Sequence, residues 1–297
     1  GDSYLRLGKN KYVKVMNQNE DSPGEILNRH AKKGIDYLYL KSADYEKFLH
    51  SYTVQLVEQT QNNSNSPLKT QADCTHMIRE SLLNLGINQH AITIAECYVA
   101  NAKALLRKKP NLNFLVEKLL ALNNYTTQLT LLSGHLATVI AHHTDWASES
   151  TMEKLCISAL FQDISLEQES LVKISSLDSR EYQALPRSKQ QLITNHPIEA
   201  ASLIADLDYF SNDCQNIVLQ HHEMPQQMGV PQKLPANQIT PISTILIVAN
   251  FVARQLLAQK EINGDSIQAL KQSVTKQFDS GNFKKTATAF LQSMANS

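Results

Sequence analysis

From Met77 onward the apolar residues recur at intervals of three and four, and this spacing constrains the fold more than any other feature. The runs Met77–Leu85, Ile92–Leu106, Phe114–Leu122 and Leu129–Ile140 each present one apolar face. They are broken at Gly86, at Pro110 and around Asn123-Asn124. Met152–Phe161, Pro197–Leu207, Asn216–His222, Pro241–Leu257 and Ser266–Phe278 continue the pattern. Such spacing predicts amphipathic helices packed on one another, with no strand and no internal repeat in the C-terminal two-thirds.

The first forty residues differ in texture from the rest. Tyr4–Leu7 and Lys11–Val15 flank Gly8-Lys9-Asn10 and predict a hairpin. Ser22-Pro23 predicts a helix start and Lys33-Gly34 its end. Asp36–Leu40 reads as a short strand, and Ser42 opens a helix to about Gln59. The polar stretch Gln59–Ser66 before Pro67 is a candidate linker. The expected class is α+β: a small N-terminal ββαβα domain over 1–62, a helical connector over 63–124, and an all-α multi-helix domain over 125–297.

Charge narrows the function classes. Lys+Arg and Asp+Glu both number 28, which argues against a DNA- or RNA-binding protein. No apolar run approaches the ~20 residues of a membrane span, and the N-terminus lacks the order of a signal peptide, so a cytoplasmic location is expected. Cys74, Cys97, Cys156 and Cys214 are scattered, without a CxxC pair, and read as buried reduced thiols. The histidines carry more. Six of the ten fall within Gly134–Glu223. His135, Asp163, His196, His221 and His222 lie on separate segments, His196 before Pro197 at an expected helix start and the adjacent pair at a helix end. Imidazoles and a carboxylate converging from distant helices are what a divalent metal requires. His142 and His143 read instead as an exposed helix end before Asp145-Trp146.

From Leu129 to Phe251 the order of these residues resembles the HD-GYP family of the HD phosphohydrolase superfamily. His135 matches the family's first histidine, Gln162-Asp163 its His-Asp, His196-Pro197 its His-Pro and His221-His222-Glu223 its His-His-Glu. Gln226-Gln227-Met228-Gly229-Val230-Pro231 stands where the family has Asp-Gly-x-Gly-Tyr-Pro, and Asn250 stands at the last aspartate. The resemblance implies an all-α HD-type domain and a cyclic di-GMP phosphodiesterase in bacterial signalling, with a bridging aspartate, here Asp163, between two or three metals. The departures have a direction. His135, Gln162, Asp163 and Asn250 would hold the first metal, and neutral amides at 162 and 250 are weak donors. Leu166 replaces the phosphate-binding lysine and Val230 the tyrosine of the loop Gly229-Val230-Pro231. The second seat, with Asp163, His196, His221 and His222, is complete. The expectation is one divalent transition metal (Fe or Mn, with Zn or Ni as alternatives), a second site weak or empty, and hydrolysis weak or lost. A cyclic dinucleotide such as cyclic di-GMP, or a protein partner, is the expected ligand, and the long helices between Ala72 and Asn124 suggest a homodimer. An active phosphodiesterase with an altered metal site and a metal-free helical scaffold are the alternatives. Glu223 is expected either to orient a histidine through its second ring nitrogen or to stand as a surface acid.

Overall fold

The computed structural model describes residues 2–17, 23–35, 38–62, 66–86, 88–205, 210–259 and 262–294. The chain divides into two compact units, Gly1–Glu58 and Gln59–Ser297.

In the first unit, β1 (Ser3–Gly8) and β2 (Lys11–Met16) form the expected antiparallel hairpin, with Leu5 opposite Val13. Next come α1 (Pro23–Ala31) and α2 (Ser42–Gln61), the latter running across the division between the units. Ser22, the expected cap of α1, lies outside the described residues, as do Asp36 and Tyr37 of the expected third strand. Among the described residues of that strand there is an isolated bridge, in which Tyr39 exchanges two 2.8 Å backbone hydrogen bonds with Tyr4.

Among the described residues of the second unit the regular elements are all helices, joined by loops that hold one isolated bridge, Gln226 with Pro235. The helices are α3 (Pro67–Leu85), α4 (Gln89–Lys108), α5 (Leu112–Leu120), α6 (Tyr125–His142), α7 (Glu149–Phe161), the short α8 (Glu169–Val172) and α9 (Arg180–Gln183), α10 (Arg187–Ala205), α11 (Asn212–Gln220), α12 (Pro241–Leu257), α13 (Gly264–Gln277) and α14 (Phe283–Ser293). The breaks legible in the sequence are the helix boundaries, each for a local reason. Gly86 ends α3 at φ +65°, a backbone region costly for any side chain. Asn124 caps α6 by accepting from the Thr127 N–H at 2.8 Å, which serves one of the otherwise orphaned amides.

The core is built on α6 and α12, which pack on each other, with α7 against both. Ile245, Leu246, Val248, Ala249, Val252 and Ala253 on α12 are fully buried, as are Leu129, Leu132, Ala137 and Ile140 on α6. Each buried Leu or Ile contributes about 1.5–3 kcal/mol. A helix apolar on nearly every face must be central, and α12 carries little but Asn250 and Arg254 to interrupt it.

One boundary departs from expectation. The sequence His196-Pro197 predicts a helix start, but α10 begins at Arg187 and carries Pro197 inside it. The lost backbone bond explains how. Proline has no N–H, so the carbonyl oxygen of Ile193, four residues earlier, loses its helical partner. The His196 side chain takes that oxygen, with Nδ1 at 2.7 Å.

Candidate metal centre

Four side chains from three regions of the second unit converge. Asp163 sits in the turn after α7, closed by the Leu166 N–H to the Asp163 carbonyl oxygen at 3.1 Å. His196 comes from the middle of α10, and His221 and His222 from the end of α11. One ligand atom from each of the four lies within 4.8 Å of those of the others. His196 Nε2 is 3.1 Å from His221 Nε2 and 3.5 Å from Asp163 Oδ1. The His222 ring centre is 4.9 Å from that of His196 and 4.2 Å from that of His221.

The hydrogen bonds fix the proton positions. His196 Nδ1 meets the Ile193 carbonyl oxygen, and His221 Nδ1 meets the Val218 carbonyl oxygen at 2.6 Å. A carbonyl only accepts, so each Nδ1 carries the proton, and each Nε2 presents a lone pair. Two lone pairs 3.1 Å apart repel unless a cation lies between them. Asp163, 3% exposed, has neither carboxylate oxygen in a hydrogen bond. An unpaired buried carboxylate costs several kcal/mol. Converging lone pairs around an unpaired anion form a seat for a cation; ligand atoms on a single metal at about 2.0–2.2 Å stand roughly 3–4 Å apart, as His196 Nε2 does from His221 Nε2 and Asp163 Oδ1.

Electrostatics keeps the rings ready as ligands. Burial pushes His196 and His222 below the ordinary imidazole range and His221 down to about 3, while the Asp163 charge opposes this at His196 and His221. A histidine whose folded pKa is depressed lends stability that is fully present above pH ~6.5 and is lost as pH falls toward the folded value. Chelated protein is therefore expected to lose about 1.4 kcal/mol per pH unit for His221 alone between about pH 6.5 and 3. Urea midpoints taken at pH 7.5, 6.5 and 5.5 check it; a flat profile contradicts neutral, buried rings.

The neighbouring positions are built differently. Gln162, fully buried, accepts from Asn250 Nδ2 through Oε1 at 2.6 Å and donates through Nε2 to Ser133 Oγ at 3.3 Å. The two amides that stand for a histidine and an aspartate thus bind each other. His135 is outside the four-residue group, and burial lowers its pKa to about 4. His142 and His143 are exposed at the end of α6, as expected.

Glu223 does neither of the things expected of it. It is fully buried, and its carboxylate accepts from the backbone N–H groups of Gln232, Lys233 and Leu234 at 2.7, 3.1 and 2.8 Å. His221 is oriented by a backbone carbonyl instead. Gly229 lies so close to the His222–Met224 backbone that a Cβ there would come within 2.5 Å of it, and the Val230 N–H donates to the His222 carbonyl oxygen at 3.1 Å. Val230 is buried, and the Val230-Pro231 peptide bond is cis. The loop after the histidines is thereby folded back onto them. Sequence reading also missed Ser133, for which nothing in the spacing of α6 gave a signal.

The sequence from 103 to 280, more than half of the chain, matches the model of the HD domain family. The chain belongs to the HD domain family. The metal-capable cluster and the helices that build it fall inside the HD domain match. Among solved structures, the chain is similar to Bd1817, a HDG"Y"P protein from Bdellovibrio bacteriovorus. The likeness has a TM-score of 0.61 and 16% identity, and covers 98% of this chain and 94% of that one. At that identity the likeness establishes the shared fold. No curated protein matches the sequence. Among the described residues, no helix of this HD-domain protein is long and apolar enough to cross a membrane.

Proposed function

We propose that the chain is a degenerate HD-GYP-type signalling protein. It holds one divalent transition metal on Asp163, His196, His221 and His222, and uses the pocket to bind a cyclic dinucleotide such as cyclic di-GMP, with hydrolysis weak or lost. The observation that carries this reading is the contrast between adjacent seats: lone pairs and an unpaired carboxylate on one side, two neutral amides joined by a hydrogen bond on the other, with the Asn250 Oδ1 left without a partner. Iron or manganese is the metal proposed first, since a mixed imidazole and carboxylate set suits both; zinc and nickel remain alternatives.

Asp163, His196, His221 and His222 would hold the cation, which would supply Lewis acidity toward a phosphoryl oxygen or a water. The protein's own contribution is to deliver three neutral imidazoles, those of His196 and His221 in a fixed tautomer, and to keep Asp163 dry. Gln162 and Asn250 offer no charge to a second cation, and Leu166, 2% exposed, offers none to a phosphate. Loss of those charges favours binding over turnover. The proposed setting is bacterial and cytoplasmic, with a protein partner or a homodimer receiving the signal.

Protein loaded with manganese or iron(II) and mixed with cyclic di-GMP is expected to bind it in calorimetry while yielding no linear dinucleotide or GMP above the rate of a His221→Ala control. Product abolished by both His221→Ala and Asp163→Ala would establish the active phosphodiesterase instead. Neither binding nor product would leave a helical scaffold.

A further inference from the structure

Among the described residues, β1 and β2 pair with each other and, through Tyr4, with Tyr39. The alternation of an antiparallel ladder then fixes which way the backbone of β2 points. Tyr4 gives both its N–H and its carbonyl to Tyr39, so its register partner Lys14 turns its own N–H and carbonyl away from β1. Val13 is bonded to Leu5, and Tyr12, opposite Arg6, again points outward. The outer edge of β2 therefore presents the backbone donors and acceptors of Tyr12 and Lys14, which take no partner among the described residues. The side chains along it are open to solvent, Tyr12 47% exposed and Val13 41%.

Such an edge is a template for another strand, and a two-stranded hairpin is marginal in water on its own. Lysines on an edge ordinarily repel an incoming strand. Here the Lys14 ammonium is met by Asp2 at 2.9 Å. The Tyr12 ring stands edge-on to Tyr39, with centroids 5.5 Å apart, so it is ordered before any partner arrives. A second copy of β2 fits this edge in one register. Antiparallel pairing about Val13 sets the outward N–H and carbonyl groups of Tyr12 and Lys14 against those of the partner's Lys14 and the partner's Tyr12. It places the Tyr12 ring opposite the ammonium of the partner's Lys14, and Val13 opposite the partner's Val13. A shift of two residues one way sets Lys14 against the partner's Lys14, with like charges facing. The opposite shift sets Lys14 against the partner's Asn10, in the turn, and shortens the ladder.

We infer that two copies of this chain associate through β2, joining their hairpins into one four-stranded antiparallel sheet with Val13 at its two-fold axis. The contact is isologous and consumes the free edge of β2, so it closes at two chains. It moves the homodimer contact from the long helices between Ala72 and Asn124 to the hairpin, and it does not rest on the metal centre.

The test is sedimentation equilibrium of the full chain over a hundredfold range of concentration, with circular dichroism as the check on folding. The proteins are the native chain, Val13→Glu, Val13→Lys and an equimolar mixture of those two variants. The native chain is expected to dimerise. Each single variant sets like charges across the axis, and its dimer dissociation constant is expected to rise at least tenfold. The mixture should recover the dimer, because a glutamate then meets a lysine. Lys14→Pro removes an outward N–H and none of the bonds to β1, so it should weaken the dimer more than Lys14→Ala, which keeps that N–H. A native chain that stays monomeric, or that assembles beyond two copies, overturns the inference. So does a dimer within twofold of native strength in both charge variants, which would place the contact on another surface, or the failure of the two variants to combine. Should a charge at position 13 unfold the hairpin, equal dimer strength in Lys14→Pro and Lys14→Ala overturns it instead.

Discussion

Replacing Glu223 with alanine is expected to lower the unfolding free energy by about 3 kcal/mol, the larger of two effects that follow from how the site is framed. The carboxylate is fully buried and takes three backbone N–H groups of the 232–234 turn. A hydrogen bond to a charged group contributes about 1.5–3 kcal/mol, and three of them are not additive. Gln232 and Lys233 are exposed, so their freed amides regain some water, which keeps the loss at about 3 kcal/mol, well below the sum of three such bonds. Glu223→Gln retains one acceptor oxygen and should cost about half as much. The consequence for the site follows from Gly229 and Val230, which pack on the His222–Met224 backbone through that same loop. A loop released at 232–234 loosens His222, so metal affinity should fall with stability. Urea titration of the three proteins measures the first effect and chelator competition the second. A loss below about 0.5 kcal/mol, the range of ordinary surface substitutions, would show that the loop does not depend on Glu223.

The second large effect is stabilisation by metal. An ion that binds the folded chain and not the unfolded one at a free concentration of 100 times its Kd adds about 2.7 kcal/mol. For a unit of this size that raises the melting temperature by roughly 5–10 °C. His221→Ala removes one of four ligand groups and one of the two lone pairs that face each other at 3.1 Å. The metal-dependent shift should disappear in that variant. The metal-free variant should melt close to the metal-free native chain, because the repulsion between Nε2 atoms is relieved as the cavity opens. A shift of equal size in both proteins would place the ion elsewhere.

Much of this was legible in the sequence where a local rule sufficed. Gly86 needs the left-handed region and Asn124 offers an oxygen to the first turn of α6, so both helix boundaries could be read from residue type. Asp163, His196, His221 and His222 were singled out by type and order, and the fold brings them together. His196-Pro197 misled because the rule for proline concerns the backbone alone. The helix continues through Pro197 since the histidine side chain takes the carbonyl that proline leaves free, and the same bond aims Nε2 at the cluster. Glu223 misled for a related reason. Its neighbours in sequence are histidines, but its partners lie nine to eleven residues on, in a loop whose path no local pattern fixes. Residue type alone makes the amides at 162 and 250 weak ligands; that they bind each other across 88 residues is a fact of packing between α7 and α12. Of the expected third strand, the described residues carry a bridge at Tyr39, a single pairing that alternation alone does not distinguish from a strand.

The most direct measurement is the metal content of protein purified without chelator, combined with anomalous scattering from its crystals. One ion per chain is expected, within bonding distance of Asp163, His196, His221 and His222, with no second ion near Gln162 and Asn250. Two ions per chain, or less than about half an equivalent of any transition metal, would contradict the account.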